Sequence, residues 1–502
     1  MQQERSRMLG EMPMRRLVPT VSVPIMISML VQALYNIVDS FFVAQYSQTA
    51  LSAVNLAYPL QMLMVALSTG MGTGVNSVIS RRLGEKNGPE ARRAAMNGLF
   101  VEGCGWLLFV VVGLFFAAPF LRLFSKDAEL VRQGTVYLTI VCTCSFGLFG
   151  AITMERMLQA SGNTKASMVT QLAGAVTNIV LDPVFIFLFD MGVAGAAIAT
   201  VIGQIASMTL GFYLNQTRNA ELRLSWNHFR PDGKIIRSIF VVGFPATVAQ
   251  AISSVLNGAM NALMMSFSQA AMNVLGVYFK LQSFIFMPVF GLTNGMVPIV
   301  GYNYGARSRQ RVYACVRVSL AWAMTIMFLG MVLFLAAPEF LMGLFDSSGN
   351  ALIAMGDAAL HTPADRLAGL LLPRSPAGIA LPGMTLTQEM SGFVREAGYG
   401  TMVEIGATAL RIISTHFLLA AAGITISTVF QAVGKGTYSL IMSLCRQLVV
   451  LLPAAWLLSL ISLDAIWWSF LTAEAVSLTI CLILFARCDR NLLRPLDDAI
   501  TE

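Results

Sequence analysis

The run CGWLLFVVVGLFFAAPFL, Cys104 to Leu121, goes eighteen residues without a charged side chain. A helix rises 1.5 Å per residue, so about 20 such residues cross the roughly 30 Å hydrocarbon layer of a bilayer. SLAWAMTIMFLGMVLFLAAP, Ser319 to Pro338, reaches the same length, and similar runs fill the chain. Of 502 residues, 56% are hydrophobic and 12% charged, with a mean hydropathy of +0.70; a soluble domain carries about 25% charged residues. The sequence reads as an all-α polytopic membrane protein.

The polar, basic start MQQERSRMLGEMPMRR leads into a long apolar run with no small-residue cleavage site, which predicts an uncleaved first span entered from the cytoplasm. Twelve spans are expected: 17–44, 51–80, 94–120, 131–157, 166–190, 193–215, 238–267, 271–302, 311–338, 404–432, 436–460 and 463–486. Alternate connections are basic: RRLGEKNGPEARR (81–93), GNTKAS (162–167), TRNAELRLSWNHFRPDGKIIR (217–237) and YGARSRQRVYACVR (304–317). The others, such as AQYSQTA and FDMGVAG, carry little positive charge. The positive-inside rule puts the basic set and both termini in the cytoplasm. The net charge of +7 is therefore a topological signal, and the partner it implies is the bilayer rather than nucleic acid. Seven cysteines lie mostly inside spans, among them Cys104, Cys142, Cys144 and Cys481; they show no metal-ligand spacing and read as packing residues.

The chain repeats itself. Gln61 and Gln282, Gly74 and Gly295, Gly84 and Gly305, and Phe124 and Phe345 are each 221 residues apart. Further on, LQASGNTKAS (158–167) resembles FQAVGKGTYS (430–439) at a spacing of 272. Six spans per half is an even number, so both halves enter from the same side, as in two-lobed transporters. The expected division is a tail 1–16, a first lobe 17–215, a cytoplasmic loop 216–237, a second lobe 238–487 and a tail 488–502. The spacing grows by 51 residues, which places an insertion at about 357–406. Its flanks LIAMGDAAL (352–360) and MVEIGATAL (402–410) resemble each other. The stretch has no run long enough to cross the membrane, and parity puts it outside.

One charge interrupts the first span: Asp39, in ALYNIVDSFFVAQ (33–45). A carboxylate at membrane depth costs about 3 kcal/mol even on lenient scales, and marks a functional site by default. Asp39 is eight residues from the outer loop at Ser47, roughly 12 Å deep. Asp182, in TNIVLDPVFIFLFDMG, is eight residues before Asp190, and Thr200 of the sixth span reaches a similar level. Tyr35 and Asn178 precede the two aspartates by four residues and share their helix faces. Pro183 cannot donate to the carbonyl of Ile179, which leaves a further oxygen free. Such oxygens suit a hard cation such as Na⁺; the carboxyl pair suits a proton equally well. The second half offers no counterpart, since the repeat spacings bring Met260, Val450 and Ala454 to these positions.

YNIVDSFFVAQ, RRLGEKNGPEARRAA, ERMLQASGNTKAS, TNIVLDPVFIF and GVAGAAIAT, with GYNYGARSRQRV and FQAVGKGTYSLI in the second half, resemble the multidrug and toxic compound extrusion (MATE) family, in its bacterial DinF-like and MepA-like branch. The likeness covers nearly all the chain except 357–406. It implies two six-helix lobes in a bacterial inner membrane, and export of amphipathic, often cationic drugs by alternating access, antiported against H⁺ or Na⁺, by a monomer without cofactor. It implies a coupling site, or Na⁺ site, at Asp39, Asn178, Asp182 and Thr200 beside Tyr35, and a first-span bend at Pro24. The second-lobe acidic residues of the NorM-like branch have no counterpart, so H⁺ and Na⁺ both stay open.

The candidate lining of a second-lobe cavity is Gln250, Asn257, Asn261, Lys280, Gln282 and Met287. Lys280 and Arg446 either pair within the bundle or line that cavity. His416 is expected to be a satisfied interior histidine, and Glu102, near the inner end of its span, to snorkel or to have a local partner. STGMGTGVNS (68–77) mimics a phosphate loop, but it lies inside a span with no following Lys-Ser/Thr, so it reads as small-residue helix packing. Three scattered histidines supply no catalytic or metal set, which argues against an enzyme. The competing reading is a lipid-linked saccharide flippase of the same architecture, which would want several arginines in its cavity; Arg446 is the main one within a span.

Overall fold

The computed structural model describes residues 4–224, 229–346 and 402–498; the proposed insertion falls almost wholly outside them. Helices and turns make up the described residues, and no strand occurs among them. The long helices are α1 (Met14–Tyr46), α2 (Gln48–Gly84), α3 (Gly88–Val111), α5 (Thr164–Pro183) and α6 (Gly192–Arg218) in the first half. The second half supplies α7 (Gly233–Met265), α8 (Gln269–Gly305), α9 (Arg309–Ala336), α11 (beginning Gly436–Leu444) and α12 (chiefly Trp468–Cys488). Two further spans are broken: α4 bends by 44° between Ala128–Thr143 and Phe146–Ala160, and α10 bends by 49° between Met402–Ser414 and Phe417–Ala432. With each bent pair counted once, twelve helices among the described residues are long and apolar enough to cross a membrane. The breaks were not legible beforehand, because neither contains a proline or glycine.

Local chemistry starts the helices where the loops end. Ser47 and Ser268 accept backbone N–H bonds at the starts of α2 and α8, and Asp127 and Asp232 do so for α4 and α7. Side chains such as Leu107, Phe115, Leu329 and Ile483 stay exposed on the outside of the bundle, as a lipid-facing surface requires. The repeat reappears as geometry. Lys86 and Arg307, 221 apart, both adopt positive φ (58° and 57°) in basic turns; Gly162 and Gly434, 272 apart, both do so at 79° and 87°.

The two halves meet along α1–α8 and α2–α7. Their closest approaches all lie toward the ends that carry the basic loops, and they are reciprocal. Gly70 of α2 packs on Thr247 of α7, and Gly291 of α8 packs on Met26 of α1. Gly74 meets Gly243, and Gly295 meets Ser22. Gly84 meets the Tyr302 carbonyl, and Gly305 the Arg81 carbonyl. Every contact has its partner 221 residues on. The glycine stretch of α2, read as helix packing, is half of this seam. Ser22 Oγ donates to Leu292 O (3.2 Å), Ser77 Oγ to Gln431 O (2.7 Å), and Arg156 Nη1 to Asn294 Oδ1 (3.3 Å), adding polar ties across it. Toward the other end, Tyr58, Asn257 and Asn261 are exposed, and a methyl added at Gly258 or Gly276 would meet nothing within 4 Å. The molecule is therefore closed at its basic end and cleft at the opposite one.

Candidate functional site

Asp39 is half-buried on α1, and Asp182 is fully buried on α5. Their carboxyl groups lie within hydrogen-bonding reach of each other. Asn178, one turn before Asp182, donates from Nδ2 to Asp182 Oδ1 at 3.2 Å. Asp39 Oδ1, Asp182 Oδ2 and Asn178 Oδ1 are buried with no donor among the described residues. Buried oxygens left this way are costly. Two touching carboxyls hold a proton between them or require a cation. Tyr35, one turn before Asp39, lies close to both carboxyls.

Helix packing sets the level of the group. Gly203 of α6 packs directly on Asn178, with a methyl at Gly203 falling 3.1 Å from Asn178 Cβ. Thr200 lies three residues before Gly203, on the same face and one turn nearer Asp182 along the antiparallel pair. Directly after Pro183 the helix widens into a π turn, Val184–Leu188, as a missing N–H favours. The structure thus brings together Tyr35, Asp39, Asn178 and Asp182, and carries Thr200 to their edge. It adds two residues that the sequence reading did not select. Tyr137 of α4 lies close to Asp39, and its Oη donates to Gln61 Oε1 of α2 at 3.3 Å. Gln61 enters the sequence reading only as a repeat marker; a tyrosine at membrane depth was the available signal for Tyr137.

The second-half candidates separate. Asn261 and Lys280 line one cavity of about 400 Å³ with Asn273, Met272, Phe345 and Met402. Gln250 accepts a hydrogen bond from the Thr69 hydroxyl beside the Gly70–Thr247 contact of the seam, Asn257 is exposed, and Gln282 and Met287 are half-buried outside that cavity. α1 passes Pro24 as one uninterrupted helix, with Pro24 buried. Arg446 pairs with Glu474 of α12 at 3.2 Å, a partner not anticipated. His416 is buried with Nδ1 against the Ile413 carbonyl, and Glu102 is buried and accepts from Ser68 Oγ at 2.9 Å. Met260 is buried among apolar neighbours, so the aspartate pair has no twin in the second half.

The MatE family model matches residues 24–184 and 245–362. The chain belongs to the MatE family. Curated relatives within reach include the multidrug export protein MepA of Staphylococcus saprophyticus subsp. saprophyticus, 25% identical over 473 residues and 93% of each chain. MepA of Staphylococcus aureus is 23% identical over the same shares. Among solved structures, MATE in the bent conformation superposes with a TM-score of 0.83 at 20% identity, over 99% of both chains. An outward-facing multidrug resistance MATE family transporter of the MOP superfamily gives 0.79 at 22% identity, again over 99% of both. At these identities the superpositions establish the MatE fold.

Proposed function

We propose that this MatE family member exports amphipathic, often cationic compounds across a bacterial inner membrane, exchanging them for H⁺ or Na⁺. The observation that carries the reading is the touching Asp39–Asp182 pair, buried within the first half of a molecule whose halves are joined at their basic ends. Names of relatives add to it: MepA is a multidrug export protein. With the basic loops in the cytoplasm, the cleft faces outward. A proton, or a Na⁺ held by Asp39, Asn178, Asp182 and Thr200 oxygens, then reaches the pair from outside. Uptake there neutralises a wall that would otherwise hold a cationic cargo, and the cargo leaves. Return through the inward-facing state releases the ion to the cytoplasm. The buried oxygens without donors fit either ion. Tyr35 and the Tyr137–Gln61 pair would frame the carboxyls. The cycle moves cargo and ion without catalysis, by a monomer.

The test is ethidium efflux from cells lacking their own pumps, with H⁺ and Na⁺ gradients imposed separately. Asp39→Asn and Asp182→Asn, at equal membrane expression, are expected to abolish gradient-driven efflux. Gradient-driven efflux that survives both changes refutes the assignment of coupling to this pair. A pyrophosphate-bearing lipid cargo fits less well, because Arg446 is already tied to Glu474.

A further inference from the structure

Charge is distributed unequally between the outer portions of the two halves. In the first half, the carboxylates Asp39 and Asp182 stand near the open end. In the second half, the cation at comparable depth is Lys280. It lies eleven residues into α8 from Gln269, roughly 16 Å from the helix start, within an apolar span. An ammonium there is costly unless something answers its charge.

Four other cations on the helices are answered. Arg446 bonds Glu474 Oε1, Arg156 bonds Gln159 Oε1 and Asn294 Oδ1, Arg81 bonds Ser77 O, and Arg411 bonds Glu339 Oε1. Lys280 is exposed to the 400 Å³ cavity, and no carboxylate among the described residues lies within ion-pair distance. Its Nζ lies over the Phe345 ring, 5.9 Å from the centroid. The amides of Asn261 and Asn273, both exposed, supply further donors in the same cavity. Met272, Met402 and Phe345 supply polarizable apolar walls that tolerate varied shapes. Among its described lining residues the cavity has donors, one cation and no acid, which selects for an anionic group. Asn261 directly follows Met260, the repeat counterpart of Asp39, so the basic wall stands at the height of the acidic one.

We propose that Lys280, with Asn261 and Asn273, forms an anion-recognising subsite that admits amphipathic cargo bearing a carboxylate. The inference rests on the export reading and names a cargo class within it. A single flexible ammonium serves one negative group on many scaffolds, where a guanidinium fork would favour planar bidentate anions.

Two dyes that differ by one group test this: rhodamine 110, with a free carboxylate, and rhodamine 123, its methyl ester. Binding to the purified full chain is read by fluorescence polarisation, and export is read in proteoliposomes. Lys280→Met is expected to weaken rhodamine 110 binding by about tenfold or more, the size of a lost charge-assisted bond. Rhodamine 123 should stay within about twofold, and Lys280→Arg should keep most of the rhodamine 110 affinity. Equal losses for both dyes, or an unchanged affinity for rhodamine 110, overturn the subsite while leaving export intact. Failure of the wild type to bind or move either dye overturns the export reading and the subsite with it. A melting curve for Lys280→Met separates a lost contact from a misfolded chain; a fall in melting temperature together with loss of both dyes counts against the proposal.

Discussion

Adding one methyl group at the seam should shift the conformational equilibrium of the whole molecule. In Gly291→Ala the new carbon would lie 2.5 Å from Met26 Cα and 2.8 Å from Met26 N, against the 3.4 Å at which ordinary contact begins. Both neighbours are backbone, so no rotamer relieves the clash, and α8 must move from α1 by nearly an ångström. That displacement loosens the Ser22–Leu292 and Arg156–Asn294 bonds in the turn that follows Gly291. Overpacking of this kind costs about 1–3 kcal/mol. Only the conformation with the basic end shut bears the cost, so the opposite conformation gains about 5- to 150-fold in relative population. The reciprocal change, Gly70→Ala, meets Thr247 N at 2.5 Å and should act alike. Gly258→Ala, on the open half of α7, has free space and serves as the control. The assay is labelling of Ser80→Cys by a membrane-impermeant maleimide in inside-out vesicles, with the seven native cysteines replaced. Ser80 is fully buried in the shut seam, so its labelling reports opening. Both alanine variants should label faster than the control. Unchanged labelling in both would refute the seam as the element that shuts the basic end.

Tyr137→Phe removes the donor to Gln61 beside the aspartate pair; a lost hydrogen bond of about 1 kcal/mol should raise the ion concentration for half-maximal efflux about fivefold. No change in that concentration would make Tyr137 a packing residue. Glu474→Gln leaves Arg446 without its ion pair in the interior of the second half, which should cost about 3–5 kcal/mol, while replacing both by methionine should recover most of the loss. Thermal unfolding in detergent reads both, and a Glu474→Gln variant as stable as the wild type would refute the point. Deletion of 357–406, which joins Gly356 to Ala407, should leave efflux and melting temperature unchanged, because LIAMG (352–356) then stands in for MVEIG (402–406) ahead of Ala407 and supplies Gly356 in place of Gly406, the glycine that meets Met342. Loss of efflux at normal expression would give that segment a role in transport.

The fold was legible because its signals are local. Apolar runs set the spans, basic loops set the alternation, and paired residues at 221 and 272 exposed the repeat. The aspartate pair was legible because a carboxylate in a lipid-soluble run stands out, and counting residues from the loops gave its depth. Tyr137 and Gln61 were missed because uncharged polar groups in a span raise no comparable alarm. Glu474 was missed although it is charged, since nothing in its own helix points to the distant Arg446. The bends of α4 and α10 were missed because packing imposes them without a proline. The split of the second-half candidates followed from helix rotation: Asn261 and Lys280 turn to one cavity, while Gln250 turns to Thr69 of the other half.

The reciprocity of the seam has a consequence for how such a chain can arise and change. Each half carries both faces of the joint, so a free six-helix half would meet a second copy of itself through the same glycine contacts. The single chain thus contains the geometry of a homodimer, and fusing two identical copies would require only a connecting loop. That shared geometry binds only the basic ends. The outer portions of the two halves are released from it, which leaves one free to hold a pair of acids and the other a lone base.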